Sequence, residues 1–249
     1  MQMEVATNEK VIVIKDLMKS FGDKKVLDGF NLTVEAGSNV VILGKSGSGK
    51  SVLIKCIIGL LQADSGSINV FKENISQMNE DELDSARSKI GFLFQSNALY
   101  DSMTIRENLE FPLLRHWIDI TKEEVERLVK EALENVDLLH TIDMMPSELS
   151  GGMLKRIALA RTMILRPEII LYDEPTTGLD PVTSREIEQL ILKLQKKNHT
   201  SSIIISHDMN CVKNTADLVV LLLEGKSYIE GTYDELQQST DQNIKQFFE

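Results

Sequence analysis

The feature that most restricts the fold of this chain is the glycine-rich stretch GKSGSGKS at residues 44–51. It follows the apolar segment NVVIL and precedes SVLIKCIIGLL, which has the composition of a buried helix. Gly44, Gly49, Lys50 and Ser51 fit the pattern G-x-x-x-x-G-K-[ST]. Between a strand and a helix, this pattern is typical of a phosphate-binding loop. The sequence therefore predicts an α/β domain that binds a nucleotide.

The residue types of this loop suit a phosphate for separate physical reasons. Glycines let successive N–H groups turn inward, and the N-terminus of the following helix adds positive potential. The lysine ammonium reaches the β- and γ-phosphates, and the last hydroxyl is a ligand for Mg²⁺. The alternative is a flexible turn with a solvated lysine, which the flanking strand and helix disfavour. The predicted nucleotide-binding residues of the loop are Gly44, Ser46, Gly47, Ser48, Gly49, Lys50 and Ser51.

Apolar segments of strand length alternate with amphipathic segments of helix length, a pattern typical of a largely parallel sheet. The predicted strands are 11–14, 40–43, 90–94, 168–172, 202–205, 218–223 and 227–230, with 11–14 and 26–34 pairing as an antiparallel flank. Only helical patterns follow between about 95 and 167, where Thr121 and Glu124 have the spacing of a capping box. We therefore expect one α/β domain over residues 1–249, with a P-loop NTPase (RecA-like) core at about 1–94 and 168–249. The antiparallel β flank joins this core, and an α-helical subdomain is inserted at about 95–167.

The charge and composition exclude several classes of function. The formal net charge is −11 over 249 residues, and the lysines are dispersed, so neither nucleic acid nor anionic lipid is an expected direct partner. No apolar run approaches the roughly 20 residues that a membrane helix needs, and we expect no secretion signal at the start of the chain. The isolated Cys56 and Cys211 fit a reducing compartment.

Polar residues follow three of the predicted strands. Asp173 and Glu174 end the strand of IILYDEP, where a parallel sheet places its ligands. Asp173 is predicted to hold Mg²⁺, and Glu174 to accept a proton from the water that attacks the γ-phosphate. His207 and Gln95 follow two other strands. Taken alone, the histidine is more often structural and the glutamine more often a surface residue.

Taken together, the motifs resemble those of the ATP-binding subunits of ABC transporters. The resemblance covers essentially the whole chain, and the motifs stand in the order of that family. They are the P-loop GKSGSGKS, the glutamine loop at Gln95, LSGG at 149–152, LYDEP at 171–175, GLD at 178–180 and SHD at 206–208. The resemblance implies an ATPase with ATP and Mg²⁺ as cofactors. It also implies that Ser150, Gly151 and Gly152 face the γ-phosphate on a second subunit, so that a homodimer encloses two ATP molecules.

The same resemblance implies roles for the remaining site residues. Phe21, which could equally be a core residue, would stack on adenine, and Gln95 would sense Mg²⁺ and couple to the helical lobe. His207 would contact the γ-phosphate and orient the water, and Asp180 would bridge the dimer. The predicted catalytic residues are therefore Glu174, His207, Lys50 and Gln95, and the predicted metal ligands are Ser51, Gln95 and Asp173.

One residue departs from the usual family pattern and points to a branch. The signature is usually followed by Gln, and here Met153 stands in that place. LSGGM together with YDEPTTGLDPVTS is similar to the Mla/Mce-type ATPases, which energise phospholipid movement between the inner and outer bacterial membranes. This branch implies location at the cytoplasmic face of the inner membrane. The implied partners are integral membrane permease subunits, a substrate-binding Mce-type protein and a small regulatory subunit.

Two other functions stay open at this point. The first is an ABC ATPase for another cargo, such as an amino acid or a lipoprotein for release. The second is a soluble ABC ATPase of DNA repair, although the chain shows neither sustained heptads nor a basic stripe. In the transporter case, Leu99, Tyr100 and Met103 are candidate anchors for a permease helix, with packing inside the helical lobe as an equal alternative.

Overall fold

The computed structural model describes residues 9–116 and 119–248. Within these ranges, strands form two sheets with helices packed around them. The described strands are β1 (Lys10–Phe21), β2 (Lys24–Glu35), β3 (Asn39–Leu43), β4 (Ser65–Val70), β5 (Glu73–Asn74), β6 (Ile90–Leu93), β7 (Ile169–Asp173), β8 (Ser201–Ser206), β9 (Leu218–Leu223) and β10 (Lys226–Gly231). The described α-helices are α1 (Lys50–Ile57), α2 (Glu80–Ser88), α3 (Ile105–His116), α4 (Lys122–Asn135), α5 (Gly151–Met163), α6 (Pro181–Asn198), α7 (Met209–Thr215), α8 (Tyr233–Gln237) and α9 (Gln242–Lys245).

The larger sheet has the strand order β10-β9-β3-β8-β7-β6. Its strands run parallel except for β10, which pairs antiparallel with β9 at one edge. β3 and β8 are buried along their whole length, as expected of central parallel strands covered on both faces. The predicted parallel α/β core is confirmed, with strand ends displaced by at most one residue.

The smaller sheet is antiparallel and has the order β2-β1-β4-β5. The pairing of β1 with β2 confirms the predicted flank, although both strands are longer than predicted. The prediction missed β4 and β5. The β4 sequence SGSINV contains two apolar residues among serine, glycine and asparagine, and therefore has a weak strand signal.

Two hydrophobic cores lie on opposite faces of the parallel sheet. On one face, β3 contributes Val40 and Ile42 to a core shared with the antiparallel sheet and α1. On the other face, Val41 and Leu43 join a core formed with helices α3 to α7. The period-two alternation of β3 thus holds the sheet between two layers, and the loops at the strand ends rest on a rigid frame.

Between β6 and β7 the described residues form helices and contain no strand. Thr121 caps α4 by accepting a hydrogen bond from the Glu124 N–H at 3.2 Å. The predicted capping box is nevertheless wrong in its second half, because the Glu124 carboxylate accepts instead from Arg127. None of the helices in the described ranges is both long and apolar enough to span a membrane.

Replacing Gly66 with alanine is expected to lower the free energy of unfolding by about 2 kcal/mol. Gly66 has φ +89°, and a Cβ atom there would lie 2.4 Å from the backbone oxygen of Asp16. The bulge that joins β4 to β1 would have to open. Gly37 has φ +74°, and a Cβ atom there would meet no other atom within 4 Å, so Gly37→Ala is the matched control. Urea denaturation measures both variants, and equal losses would contradict the steric argument.

Candidate functional site

A cleft of about 730 Å³ lies where several parallel strands end. Gly44 follows β3, His207 follows β8, Glu174 follows β7 and Gln95 lies just past β6. Because these strands are neighbours in the sheet, their carboxyl ends bring the four loops together. The predicted site residues that line the cleft are Phe21, Gly44, Ser46, Gly47, Gly49, Lys50, Ser51, Gln95, Glu174 and His207.

The glycine-rich loop needs glycine at two positions for steric reasons. A Cβ atom at Gly44 would lie 2.7 Å from Ser48 Oγ and 2.9 Å from the Leu222 oxygen. Gly49 is the N-cap of α1 with φ +107°, and a Cβ atom there would lie 2.8 Å from Val26 Cγ1. Within the part of the chain that the structure describes, no side chain caps α1 and none hydrogen-bonds the buried Ser48 Oγ. The loop therefore keeps donors free beneath the cleft.

Lys50 lies across this loop. Its Nζ donates to the backbone oxygens of Gly44 at 2.7 Å and Lys45 at 3.1 Å. Glu174 Oε1 is 4.0 Å from the same nitrogen. Burial lowers the pKa of Lys50, and the carboxylates of Glu174 and Asp173 oppose that shift. The ammonium thus lies at the wall of the cleft, beside two acidic groups.

Asp173 lies beside the serine that ends the P-loop motif. Ser51 Oγ donates to Asp173 Oδ1 at 3.4 Å. Burial raises the pKa of Asp173, and the adjacent Glu174 carboxylate adds to this effect, while the Ser51 hydrogen bond opposes it. A half-buried carboxylate next to a hydroxyl forms a pair of oxygen ligands of the kind that Mg²⁺ prefers.

Glu174 and His207 form a direct pair. His207 Nδ1 lies 2.9 and 2.8 Å from the two carboxylate oxygens of Glu174. Thr177 Oγ1 donates to Glu174 Oε2 at 3.2 Å. Glu174 has a positive φ of 52°, which is uncommon for a residue with a side chain. The backbone turn and two polar partners therefore orient this carboxylate at the cleft.

The LSGG residues form a second cluster that does not line the cleft. Ser150 caps α5 by accepting from the Met153 N–H at 3.3 Å. A Cβ atom at Gly152 would lie 2.7 Å from Thr183 Cγ2. Thr183 donates its N–H to Asp180 at 3.1 Å, so Asp180 belongs to this cluster as well. The structure thus groups Ser150, Gly151, Gly152 and Asp180 apart from the P-loop.

Sequence reasoning missed several residues that line the cleft beside Phe21. Phe21 ends β1 with half of its surface exposed, and neighbouring wall residues come from β2, the P-loop and the C-terminal segment. Lys45 occupies an unspecified position of the P-loop motif and Val52 directly follows it, while no motif marks the others, which reach the cleft only through tertiary packing. The missed lining residues are Lys24, Val26, Lys45, Val52, Gln246 and Phe247.

Comparison with known proteins identifies the family. The family model described as ABC transporter matches residues 27–177. The intermembrane phospholipid transport system ATP-binding protein MlaF of Haemophilus influenzae is 38% identical over 96% of this chain and 90% of its own length. The methionine import ATP-binding protein MetN of Rhizobium johnstonii is 37% identical over 92% of this chain and 63% of its own length.

A solved structure supports the same assignment. The dimeric post-hydrolysis state of the ATP-binding cassette MJ0796, bound to ADP and Pi, superposes with a TM-score of 0.81. It is 31% identical and covers 89% of this chain and 98% of its own. This chain therefore belongs to the ABC transporter family, as one of its ATPase subunits.

Proposed function

We propose that this ATPase subunit energises phospholipid transport between the inner and outer membranes of a bacterium, as an Mla/Mce-type ATPase. The observation that carries the proposal is the similarity to MlaF, which extends over nearly the full length of both chains. Met153 supports the proposal, because LSGGM, with methionine in place of the usual glutamine, is similar to the signature of the Mla/Mce-type ATPases. In the structure, the Met153 side chain packs partly buried against the core beside the signature loop.

The P-loop residues fit a triphosphate. The N-terminus of α1, which no side chain of the described residues caps, and the Lys50 ammonium supply donors and positive charge. Ser51 and Asp173, with Gln95 across the cleft, are the ligands that we assign to Mg²⁺. Within the described residues there is no group of three or more His, Cys, Asp and Glu side chains that could hold a metal. When bound, Mg²⁺ neutralises charge on the β- and γ-phosphates.

We assign the hydrolytic roles from the contacts at the strand ends. Glu174 is the general base, since its carboxylate lies at the cleft and is oriented by His207 and Thr177. His207 has Nε2 free to face the γ-phosphate when Nδ1 is engaged with Glu174. Phe21 is the half-exposed aromatic surface on which adenine stacks.

We propose that the second cluster acts on the nucleotide of a partner subunit. Ser150, Gly151 and Gly152 begin α5 but do not line the cleft of their own chain, so a second copy has to present them. A two-fold homodimer achieves this twice, with Asp180 near the same interface. The dimeric state of MJ0796 with ADP and Pi supports this arrangement.

Mixing two inactive variants tests the arrangement. Lys50→Ala damages the P-loop and Ser150→Ala damages the signature. In a mixed dimer, one site combines both defects and the other has an intact P-loop and an intact signature. In a 1:1 mixture that exchanges freely, about half of the dimers are mixed, so about a quarter of all sites should be intact and ATPase activity should return in that proportion. ATPase activity of the mixture is measured against each variant alone. A mixture no more active than the sum of the two variants would contradict the shared site.

A surface of the inserted helices is suited to a permease. We propose residues 95–167 as the helical subdomain that docks it, at the cytoplasmic face of the inner membrane. Tyr100 and Phe111 are exposed and pack with tilted rings whose centroids are 5.2 Å apart, and Leu114 of α3 is 60% exposed. Of the other predicted anchors, Leu99 packs against the core and Met103 is half-buried. A substrate-binding Mce-type protein and a small regulatory subunit complete the proposed assembly.

The cargo is tested by isolating the complex from membranes. The similarity to MetN favours amino acid import as a second candidate. The Glu174→Gln chain, used as bait with ATP, should retain its permease because the closed state persists, while Lys50→Ala serves as the control bait. Mass spectrometry of the complex should then show enriched phospholipid over the control. A permease whose ATPase activity responds to an amino acid and not to phospholipid would favour the second candidate.

A further inference from the structure

A buried lysine follows the signature loop by one helical turn. Lys155 on α5 is 2% exposed, and the other buried residues of this helix are apolar. Its Nζ donates to the backbone oxygen of Gln95 at 3.0 Å. Among the described residues, no carboxylate lies within ion-pair distance of Lys155.

This position is unfavourable for stability alone. Removing an ammonium group from water without a carboxylate partner costs free energy. Burial accordingly lowers the pKa of Lys155 to about 8, with Asp173 opposing the shift. Methionine, which has a similar length and no charge, would fill the same space at lower cost. Stability of the fold therefore does not explain a lysine at position 155. The explanation lies in the backbone group that its ammonium binds.

The ammonium holds the start of the glutamine loop. Lys155 binds the Gln95 carbonyl, and further along the same helix Arg161 donates to the Asn97 oxygen at 3.2 Å. Thr162 Oγ1 donates to the Ala158 oxygen one turn earlier in α5 at 2.8 Å and lies 3.4 Å from the Phe92 oxygen in β6. Ser150 is the N-cap of α5, so one helix connects the signature loop with the backbone of Gln95.

We propose that Lys155 is a positioning residue that fixes Gln95 relative to the signature loop within each subunit. It acts through the Gln95 carbonyl and touches neither the nucleotide nor the metal. A displacement of the Gln95 side chain on nucleotide binding is thereby transmitted to α5 and to the Ser150 donors that the chain offers its partner. This inference rests on the roles proposed above for Gln95 and Ser150.

Lys155→Met tests the proposal with Thr162→Val as the matched control on the same helix. Lys155→Met is expected to lower kcat about tenfold, because Gln95 is misplaced, with KM for ATP within about twofold of wild type. Its melting temperature should equal or exceed that of wild type, since a buried charge is removed. Thr162→Val removes a hydroxyl that donates to the Ala158 oxygen within the same helix, leaves the Gln95 carbonyl untouched and should keep its kcat. Lys155→Arg, which retains a cationic donor, should recover part of the kcat.

A double-mutant cycle with Gln95→Ala separates positioning from other effects. Because Lys155 acts through Gln95, Lys155→Met should lower kcat no further in the Gln95→Ala background. Additive losses would overturn the proposal. So would a kcat equal to wild type, or a lower melting temperature that accounts for the lost activity. Loss of activity in Gln95→Ala alone and recovery of activity in the mixture of Lys50→Ala and Ser150→Ala test the roles of Gln95 and Ser150 separately. Failure of those roles is therefore distinguishable from failure of the Lys155 proposal.

Discussion

Replacing Glu174 with glutamine is expected to lower kcat for ATP hydrolysis by about 10²- to 10³-fold, while Kd for ATP stays within about twofold of wild type. The amide keeps the size and most of the polar contacts of the carboxylate. It cannot accept a proton from water at neutral pH. Proton transfer from the attacking water is therefore lost, while the contacts that hold the phosphates are retained.

The contacts of Glu174 explain why the two effects should separate. Its carboxylate is 12% exposed and lies 4.0 Å from Lys50 Nζ, which is bound to the P-loop by shorter contacts. Removing one negative charge leaves those contacts in place. Asp173, the proposed metal ligand, bonds Ser51 and not Glu174. Lys50 and Asp173 are therefore held by hydrogen bonds in which Glu174 takes no part.

Single-turnover and steady-state hydrolysis, with Kd from calorimetry, check this expectation. Glu186→Gln is the matched control. Glu186 is an exposed residue of α6 that pairs with Arg156 of α5, and it lies outside the cleft. It should leave both kcat and Kd unchanged. A Glu174→Gln variant that hydrolyses ATP at the wild-type rate would remove Glu174 from the mechanism and leave His207 as the next candidate for the base.

The parts of the site that the sequence predicts are those encoded by local patterns. The P-loop motif requires glycine where backbone crowding allows no Cβ, as at Gly44 and Gly49. Asp173, Glu174 and His207 are predictable at one edge because apolar strands precede them, and parallel strands end at a common edge. Here short-range chemistry and sheet topology agree, so a single sequence contains enough information.

The missed parts depend on long-range packing. β4 is stabilised by pairing with β1, more than forty residues earlier in the chain, and its own sequence is poor in strand formers. Gln246 and Phe247 reach the cleft from the last segment of the chain, which has no motif. For Lys155 a signal exists, because it is a charged residue three and four positions before the buried Ala158 and Leu159. That spacing places it on the core face of α5, but only the structure shows that Gln95 is its partner.

Replacing Lys50 with alanine is expected to weaken ATP binding on the order of 100-fold, which corresponds to about 2.7 kcal/mol. In the structure, the ammonium is held at the cleft by the Gly44 and Lys45 carbonyls, so little side-chain entropy is lost when it meets a phosphate. A charge that is already ordered and partly desolvated interacts strongly with an anion. The loss should therefore exceed that for an exposed lysine.

Lys55→Ala provides the comparison, since Lys55 is an exposed lysine on the same helix. It should change Kd for ATP by less than about twofold, because an exposed charge is screened by solvent. Calorimetric titration with ATP and Mg²⁺ measures both variants. Removing Lys50 also removes a buried ammonium whose burial is unfavourable, as its lowered pKa shows, so the nucleotide-free protein should unfold at a similar temperature. Equal affinities for Lys50→Ala and Lys55→Ala would mean that backbone donors of the loop hold the triphosphate without the lysine.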